Sequence, residues 1–359
     1  MRIAHYAIRA LAGAILLRGA ASEFAVAAYL PEWRYEGANW DAIARRCTHV
    51  ILFSMEPSRD GALLAHDRLP RAELLAQAKA ACAAHGAKLL VCFGGNGRSG
   101  GFSAMSRAPR ARARFVAAVA ALVAEHGLDG VDYNWEYPGY DFRRGYLPEA
   151  EVEADYDGLA ALCAETRAAL AAGAVITMAY YPDGRQERLL AARRVPVSVD
   201  LMHMMTYDQH GAQHSSREFA ARAVRLGADG GLPRRAMTLG VPFYGRHSRT
   251  GDWTTYEDLV QRHHPLDRAA DAVPAPEREG GATIGFNGVD TIVAKTRLAA
   301  RERLGGVMIW EVGQDCRLAP VTHGETTHVA TCPDGEESSL LVAIQRTIAT
   351  EAASAGGEL

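Results

Sequence analysis

A chain of 359 residues, 48% of them hydrophobic, can bury one large core and is ordinary in length for a single α/β barrel, which needs about 250 residues plus insertions. A formal charge of −3, with no run of like charges, gives no footprint for nucleic acid or an anionic membrane and excludes a polyanion as the expected partner. Six scattered cysteines with no CxxC pair exclude a dense disulfide scaffold and read poorly as a zinc site.

Arg2, an apolar run from Ala10 to Leu17 and the small residues Gly19-Ala20-Ala21-Ser22 follow the order of parts in a secretory signal. The expectation is a signal peptide over 1–22 and a secreted chain. From 23 to 350, short β-rich runs alternate with longer segments of helical spacing. The predicted strands Phe24 to Leu30 and Thr48 to Phe53 come first, then the helix Arg71 to His85 and the strand Lys88 to Phe93. The helix Pro109 to His126, the strand Gly130 to Trp135 and the helix Glu149 to Leu170 follow. Strands Val175 to Tyr181 and Leu201 to Tyr207 precede the helix Ser216 to Leu226 and the strand Met237 to Tyr244. The helix Thr291 to Arg303, the strand Gly306 to Glu311 and the helix Ser338 to Ile348 close the series.

Eight β-runs with helices between them predict an α/β fold, a single (β/α)8 TIM barrel. An open doubly wound sheet needs a glycine-rich phosphate loop after its first strand, and Ala28-Tyr29-Leu30-Pro31-Glu32-Trp33 is not one. Arg246 to Gly305 is too long for one loop and is expected to hold a helix and an excursion over the barrel mouth besides the last barrel helix. Cys316 and Cys332, flanking a polar loop, are the expected disulfide pair, and 351–359 reads as a frayed tail. No later stretch approaches the ~20 apolar residues of a spanning helix, so the mature chain is expected to be soluble, away from membranes and, by default, monomeric.

Most polar clusters carry no chemistry of their own. His203, His210, His263 and His264 lack the spacing of a metal site, and Gly94 to Gly101 is followed by no lysine-threonine pair, so neither a metal nor a cofactor is expected. Cys92, in an apolar strand, reads as a small core residue. Asp129-Gly130-Val131-Asp132-Tyr133-Asn134-Trp135-Glu136 stands apart. As a strand it puts Asp132, Asn134 and Glu136 on one face and Val131, Tyr133 and Trp135 on the other, at the carboxyl end where barrels build their sites. A carboxylic acid flanked by Trp135 and Tyr137, near the charge of Asp132, has its ionised form disfavoured and can serve as a proton donor.

The run closely resembles the Asp-Gly-x-Asp-x-Asp-x-Glu signature of glycoside hydrolase family 18, the chitinases and chitinase-like proteins, with Asn134 where the family has its third aspartate. Further strand ends match in order: Tyr29 and Trp33; Cys92-Phe93-Gly94-Gly95, similar to Ser-x-Gly-Gly; Met205-Thr206-Tyr207-Asp208; Phe243-Tyr244-Gly245-Arg246; and Trp310-Glu311. The resemblance covers Phe24 to Ile348. It implies retaining, substrate-assisted hydrolysis of β-1,4-linked N-acetylglucosamine in chitin or chitooligosaccharides, with Glu136 as general acid and base. Tyr207 would donate to the acetamido carbonyl, Asn134 would accept from its N–H, and Asp132 would lie deeper and steer position 134. Trp310 would form the floor under the sugar, and Tyr29, Asp208, Tyr244 and Arg246 would shape the flanking subsites. Trp33, Gly94, Gly95, Trp135, Tyr137 and Met205 complete the expected binding set. Many family members insert an α+β domain where Arg246 to Gly305 stands; too few residues are left here for a full one, so a shallow groove is expected.

Asn134 leaves alternatives open. An asparagine accepts the acetamido hydrogen but cannot supply the charge that stabilises a cationic intermediate, so the expectation is an active but slower enzyme. The alternatives are a glycan-binding lectin on an enzyme scaffold, and an endo-β-N-acetylglucosaminidase acting on N-acetylglucosamine-containing N-glycans.

Overall fold

All eight predicted runs form strands: β1 (Ala25–Pro31), β2 (His49–Pro57), β3 (Lys88–Gly94), β4 (Gly130–Asn134), β5 (Val175–Tyr180), β6 (Leu201–Met204), β7 (Met237–Pro242) and β8 (Gly306–Trp310). They belong to a computed structural model that describes residues 24–276 and 280–356; the expected signal segment lies outside these residues. Each strand pairs parallel with the next in chain order, and β8 returns to β1 through Ala25↔Gly306 and its followers, which closes the barrel. The chain is a (β/α)8 TIM barrel.

The period of two along each strand explains how the closed sheet buries both faces. In β1, Val26, Ala28 and Leu30 pack into the layer between barrel and helices, while Ala27 and Tyr29 fill the interior. In β3, Leu89, Val91 and Phe93 face the helices and Leu90 and Cys92 face inward. In β4, Val131 and Tyr133 join the outer layer, which leaves Asp132 and Asn134 on the inward face. Each fully buried large apolar side chain contributes about 1.5–3 kcal/mol, so the outer layer, which holds many more of them than the mixed apolar and polar interior, contributes most to holding the fold together.

The long helices lie within three residues of their predicted bounds, except the last: Ala72–His85, Pro109–His126, Glu149–Ala169, Arg217–Asp229 and Val289–Arg301. Pro109 opens its helix, where a missing N–H costs nothing, and Gly86 and Gly127 close theirs at φ 71° and 60°. Phe102–Arg107 and Gln186–Ala192 are further helices, too short for periodicity to reveal them, and Tyr256–Arg262 is a helix in the excursion, where one was expected. The last helix runs Leu340–Gly356, so the expected frayed tail is helical as far as Gly356. Alanines at 352 and 353 favour the helix, and Glu351 ties it to Arg297 and Arg301.

Two strands, β6 and β7, stop more than one residue short of their predicted ends. After β6 the chain leaves the ladder at Met205, whose N–H still reaches the Tyr180 carbonyl, and Asp208 sits in the left-handed region at φ 62°. After β7 it enters the excursion, where the short strands Tyr244–His247, Trp253–Thr255, Ala272–Pro274 and Thr283–Gly285 pair antiparallel around the helix Tyr256–Arg262. The excursion is therefore a small sheet carrying a helix, more ordered than the helix and loop expected there. Cys316 and Cys332 form the predicted disulfide, and Cys47, Cys82, Cys92 and Cys163 are buried thiols.

Candidate active site

A cavity of about 180 Å³ opens at the carboxyl ends of the strands. Eight of the predicted residues line it: Trp33, Asn134, Glu136, Tyr137, Met205, Tyr207, Asp208 and Trp310. Phe53, Asn96, Arg98, Tyr181 and Trp253 line it too. A larger hollow of about 490 Å³, between the helix Trp40–Ala44 and the disulfide loop, has no aromatic lining residue and no acid set among aromatics.

Glu136 follows the end of β4 by two residues, and its N–H donates to Ser99 Oγ at 3.0 Å, which fixes the backbone under the carboxyl group. Burial, and after it the negative charge of Asp208, pushes its pKa up to about 8. Hydrogen bonds from the Asn134 amide and the Asn96 N–H pull the other way without reversing the shift. At neutral pH the group is thus a protonated acid with an edge on the cavity. The reinforcing charge is Asp208 rather than the Asp132 expected from sequence, because Asp132 points down into the barrel.

Asn134 is 3% exposed, and its Oδ1 has no hydrogen-bond partner. A buried amide oxygen without a donor costs about 1–3 kcal/mol, and this one stands beside Glu136 on the cavity wall. Asp132 lies deeper, as expected, but its contacts differ. Tyr29 Oη donates to its Oδ2 at 2.9 Å, Thr177 Oγ1 to its Oδ1 at 2.6 Å, and the Cys92 thiol also donates to it. Among the described residues no hydrogen bond joins it to Asn134, and both of its oxygens accept from neighbours in the barrel. Burial raises its pKa despite these donors. His203, with Nε2 3.8 Å from Asp132, is held neutral by burial, its pKa lowered to about 3.

Trp310 lines the cavity, 4.6 Å from Phe53 and 5.4 Å from Tyr29 between ring centroids. Among the described residues the Tyr207 hydroxyl donates only to the Met308 sulfur, at 3.7 Å, a weak acceptor. Asp208 accepts from the Tyr244 hydroxyl at 2.7 Å and pairs with Arg246 at 3.1 Å. Trp253 of the excursion stacks on Tyr244 at 4.8 Å and is 49% exposed, adding a wall the sequence reading did not assign to the site.

Several predicted binding residues do not line the cavity. Tyr29 and Tyr244 lie buried beneath it, and Arg246 stands behind Asp208. Trp135 stacks on Phe102 in the outer layer at 5.1 Å and 11°, because it shares the parity of Val131 and Tyr133. Gly94 and Gly95 are buried, at φ 100° and 109°. A Cβ on Gly94 would meet the Asn134 carbonyl at 2.3 Å, and one on Gly95 the Phe53 ring at 2.3 Å, so the pair serves close packing under the site. Gly95→Ala should therefore cost about 3 kcal/mol, from left-handed strain and overpacking combined, as read from urea unfolding. An unchanged midpoint would remove this reason for the glycine.

Of the lining residues the sequence reading missed, Phe53 and Tyr181 carried a signal. Both are aromatics at the end of a predicted strand, like Trp310. Asn96 and Arg98 sit in the loop after β3, and nothing local separates them from ordinary loop residues.

The family model Glycosyl hydrolases family 18 matches residues 25–315. The chain is 25% identical to Probable chitinase 10 of Drosophila melanogaster, over 82% of this chain and 15% of that one, and 25% identical to Probable chitinase 2 of the same organism, over 73% and 63%. It therefore spans less than two thirds of the length of these relatives. Chitinase 1 of Aphanocladium album is 23% identical over 81% of each chain. Among solved structures, a chitinase from Bacteroides thetaiotaomicron aligns with a TM-score of 0.71 at 19% identity, covering 92% of this chain and 98% of its own. The second catalytic domain of the Ostrinia furnacalis Group II chitinase gives 0.71 at 21%, covering 91% and 97%. Likeness at these identities establishes the fold.

Proposed function

The chain belongs to family 18 of the glycosyl hydrolases, and we propose that it hydrolyses β-1,4-linked N-acetylglucosamine in chitin or chitooligosaccharides, with net retention and without a protein nucleophile. The observation that carries this reading is the unpartnered, buried Oδ1 of Asn134 beside a protonated Glu136 above Trp310. A 2-acetamido group seated there gives its N–H to Asn134 and accepts from Tyr207. Its carbonyl oxygen then attacks the anomeric carbon, the glycosidic bond breaks, and the departing oxygen takes the proton of Glu136. Water adds to the resulting oxazolinium ion and returns a proton to Glu136, which completes the cycle. The apolar face of the pyranose suits Trp310, while its hydroxyls stay free to bond.

Hydrolysis of a fluorogenic N-acetylchitooligosaccharide tests the proposal. Chitin oligomers and an N-glycan offered side by side separate a chitinase from an endo-β-N-acetylglucosaminidase, and turnover of the glycan alone would replace chitin as the substrate. Asp208→Asn supplies a second test. Its charge helps keep Glu136 protonated, so the variant should lose activity at lower pH than wild type on the alkaline side of kcat/KM. An unmoved limb would exclude Asp208 from this role. Export is part of the same proposal: the Cys316–Cys332 disulfide suits an oxidising compartment, and no helix among the described residues is long and apolar enough to cross a membrane.

A further inference from the structure

The cavity has two unlike ends. At one, Phe53 touches Trp310, Trp33 lies 6.3 Å from Phe53, and the Arg98 guanidinium there is committed to Glu32 at 2.6 Å and Ser54 Oγ at 3.1 Å. At the other, Tyr137 follows Glu136 directly and meets Tyr181 at 6.1 Å, Tyr140 at 6.0 Å and Phe142 at 5.7 Å. With the ring whose bond breaks seated on Trp310, the preceding sugars run over Phe53 and Trp33, and the leaving half of the chain departs past Glu136 toward Tyr137.

Phe142 stands at the tip of a hairpin formed by Tyr140–Asp141 and Gly145–Tyr146. Asp141 Oδ1 accepts from the N–H groups of Arg143 at 2.8 Å and Arg144 at 3.0 Å, and Tyr140 packs edge-on against Tyr146 at 5.2 Å. The Tyr146 hydroxyl donates to Asp183 at 2.5 Å, and Arg185 lies over its ring at 4.2 Å. The tip is thus held out by its own bonds, yet Phe142 is 60% exposed. Arg143 and Arg144 are exposed and make no ion pair among the described residues, whereas Arg98, Arg185 and Arg246 around the same mouth pair with Glu32, Glu149 and Asp208.

We propose that this hairpin binds a carboxylate carried on the leaving-group side of the scissile bond, with Phe142 as a platform for the sugar and Arg143 and Arg144 as the countercharge. The proposal rests on the hydrolase reading above and deepens it. A neutral polymer would leave both guanidinium groups without use, while planar guanidinium forks match a carboxylate in shape and charge. Two sources supply that chemistry: an N-acetylglucosamine chain whose reducing end has been oxidised at C1 to an aldonic acid, or acidic side chains of a peptide to which the glycan is attached.

The test compares kcat/KM for N-acetylchitopentaose oxidised to the aldonate with the same compound reduced to the alditol, and for a chitobiose-linked glycan on an acidic peptide with one on a neutral peptide. The acidic member of one pair should be favoured about fivefold at low ionic strength, the size of an exposed charge pair, and the preference should fade in ~0.5 M salt. The pair that shows it names the source. Arg143→Gln with Arg144→Gln should bring the ratio to near one, while the double lysine variant should keep most of it. Ratios near one for both pairs in wild type, or a ratio unmoved by the glutamines, overturn the proposal. Cleavage of none of the four compounds defeats the hydrolase reading instead, and their dissociation constants then decide: tighter binding of an acid sustains the hairpin site, and equal binding removes it.

Discussion

Glu136→Gln is expected to lower kcat on unactivated N-acetylchitooligosaccharides by about 10²–10⁴-fold, the usual contribution of a positioned acid and base. Glutamine keeps the shape of the side chain and can hold similar neighbours, but it has no proton to give the departing oxygen. The loss should shrink on a nitrophenyl glycoside, whose leaving group departs without protonation, and this separates a missing proton from a damaged site. The pH profile carries the same signature. Because burial and Asp208 push the Glu136 pKa up to about 8, the wild-type acid is protonated below that value and lost above it, so kcat/KM should fall as pH rises through about 8. A wild type whose alkaline limb lies near pH 5, or a Glu136→Gln protein with unchanged turnover on both substrates, would end the assignment.

Asn134→Asp is expected to raise kcat by about tenfold to a hundredfold, because a carboxylate beside the anomeric carbon supplies a charge that an amide cannot, and pre-organised terms of this kind are worth up to about 3 kcal/mol. The second effect is on Glu136. The Asn134 amide now donates to the Glu136 carboxylate and lowers its pKa; an aspartate removes that donor and adds a like charge, so both changes raise it. The alkaline limb should therefore move to higher pH in the variant. Equal rates and equal limbs in the two proteins would refute this electrostatic account. Activity that appears only in Asn134→Asp, with oligosaccharide binding intact in wild type, would identify a binding protein on an enzyme's scaffold.

Position 134 also shows how far local sequence reaches. The alternation along β4 predicts that Asn134 faces inward and Trp135 outward, and both do. Treating Trp135 as a sugar contact set that alternation aside in favour of its nearness in sequence to Glu136. The eight strands were legible for the same reason: apolar periodicity is a local record of burial, and strand length and parity follow from it. Helices of five to seven residues outside the excursion were not, since two turns leave too short a record to stand above chance.

Which side chains share the cavity is decided elsewhere. Phe53 lies in β2, Arg98 in the loop after β3, Tyr181 directly after β5 and Trp253 in the excursion, and their meeting depends on how barrel closure aims each segment and where the excursion folds back. Asp132 is a similar case. Its place in the motif suggested a link to position 134, but the closed barrel brings Tyr29 and Thr177 to its two oxygens first. The residues at the end of β4 and the eight-fold repeat of strand and helix are properties of the sequence alone, because each is set by neighbours two to four positions away. The partner of each polar group, the charge that keeps Glu136 protonated and the aromatic walls of the cavity belong to the tertiary structure. They are fixed by side chains remote in sequence, brought within a few ångströms only when the sheet closes on itself.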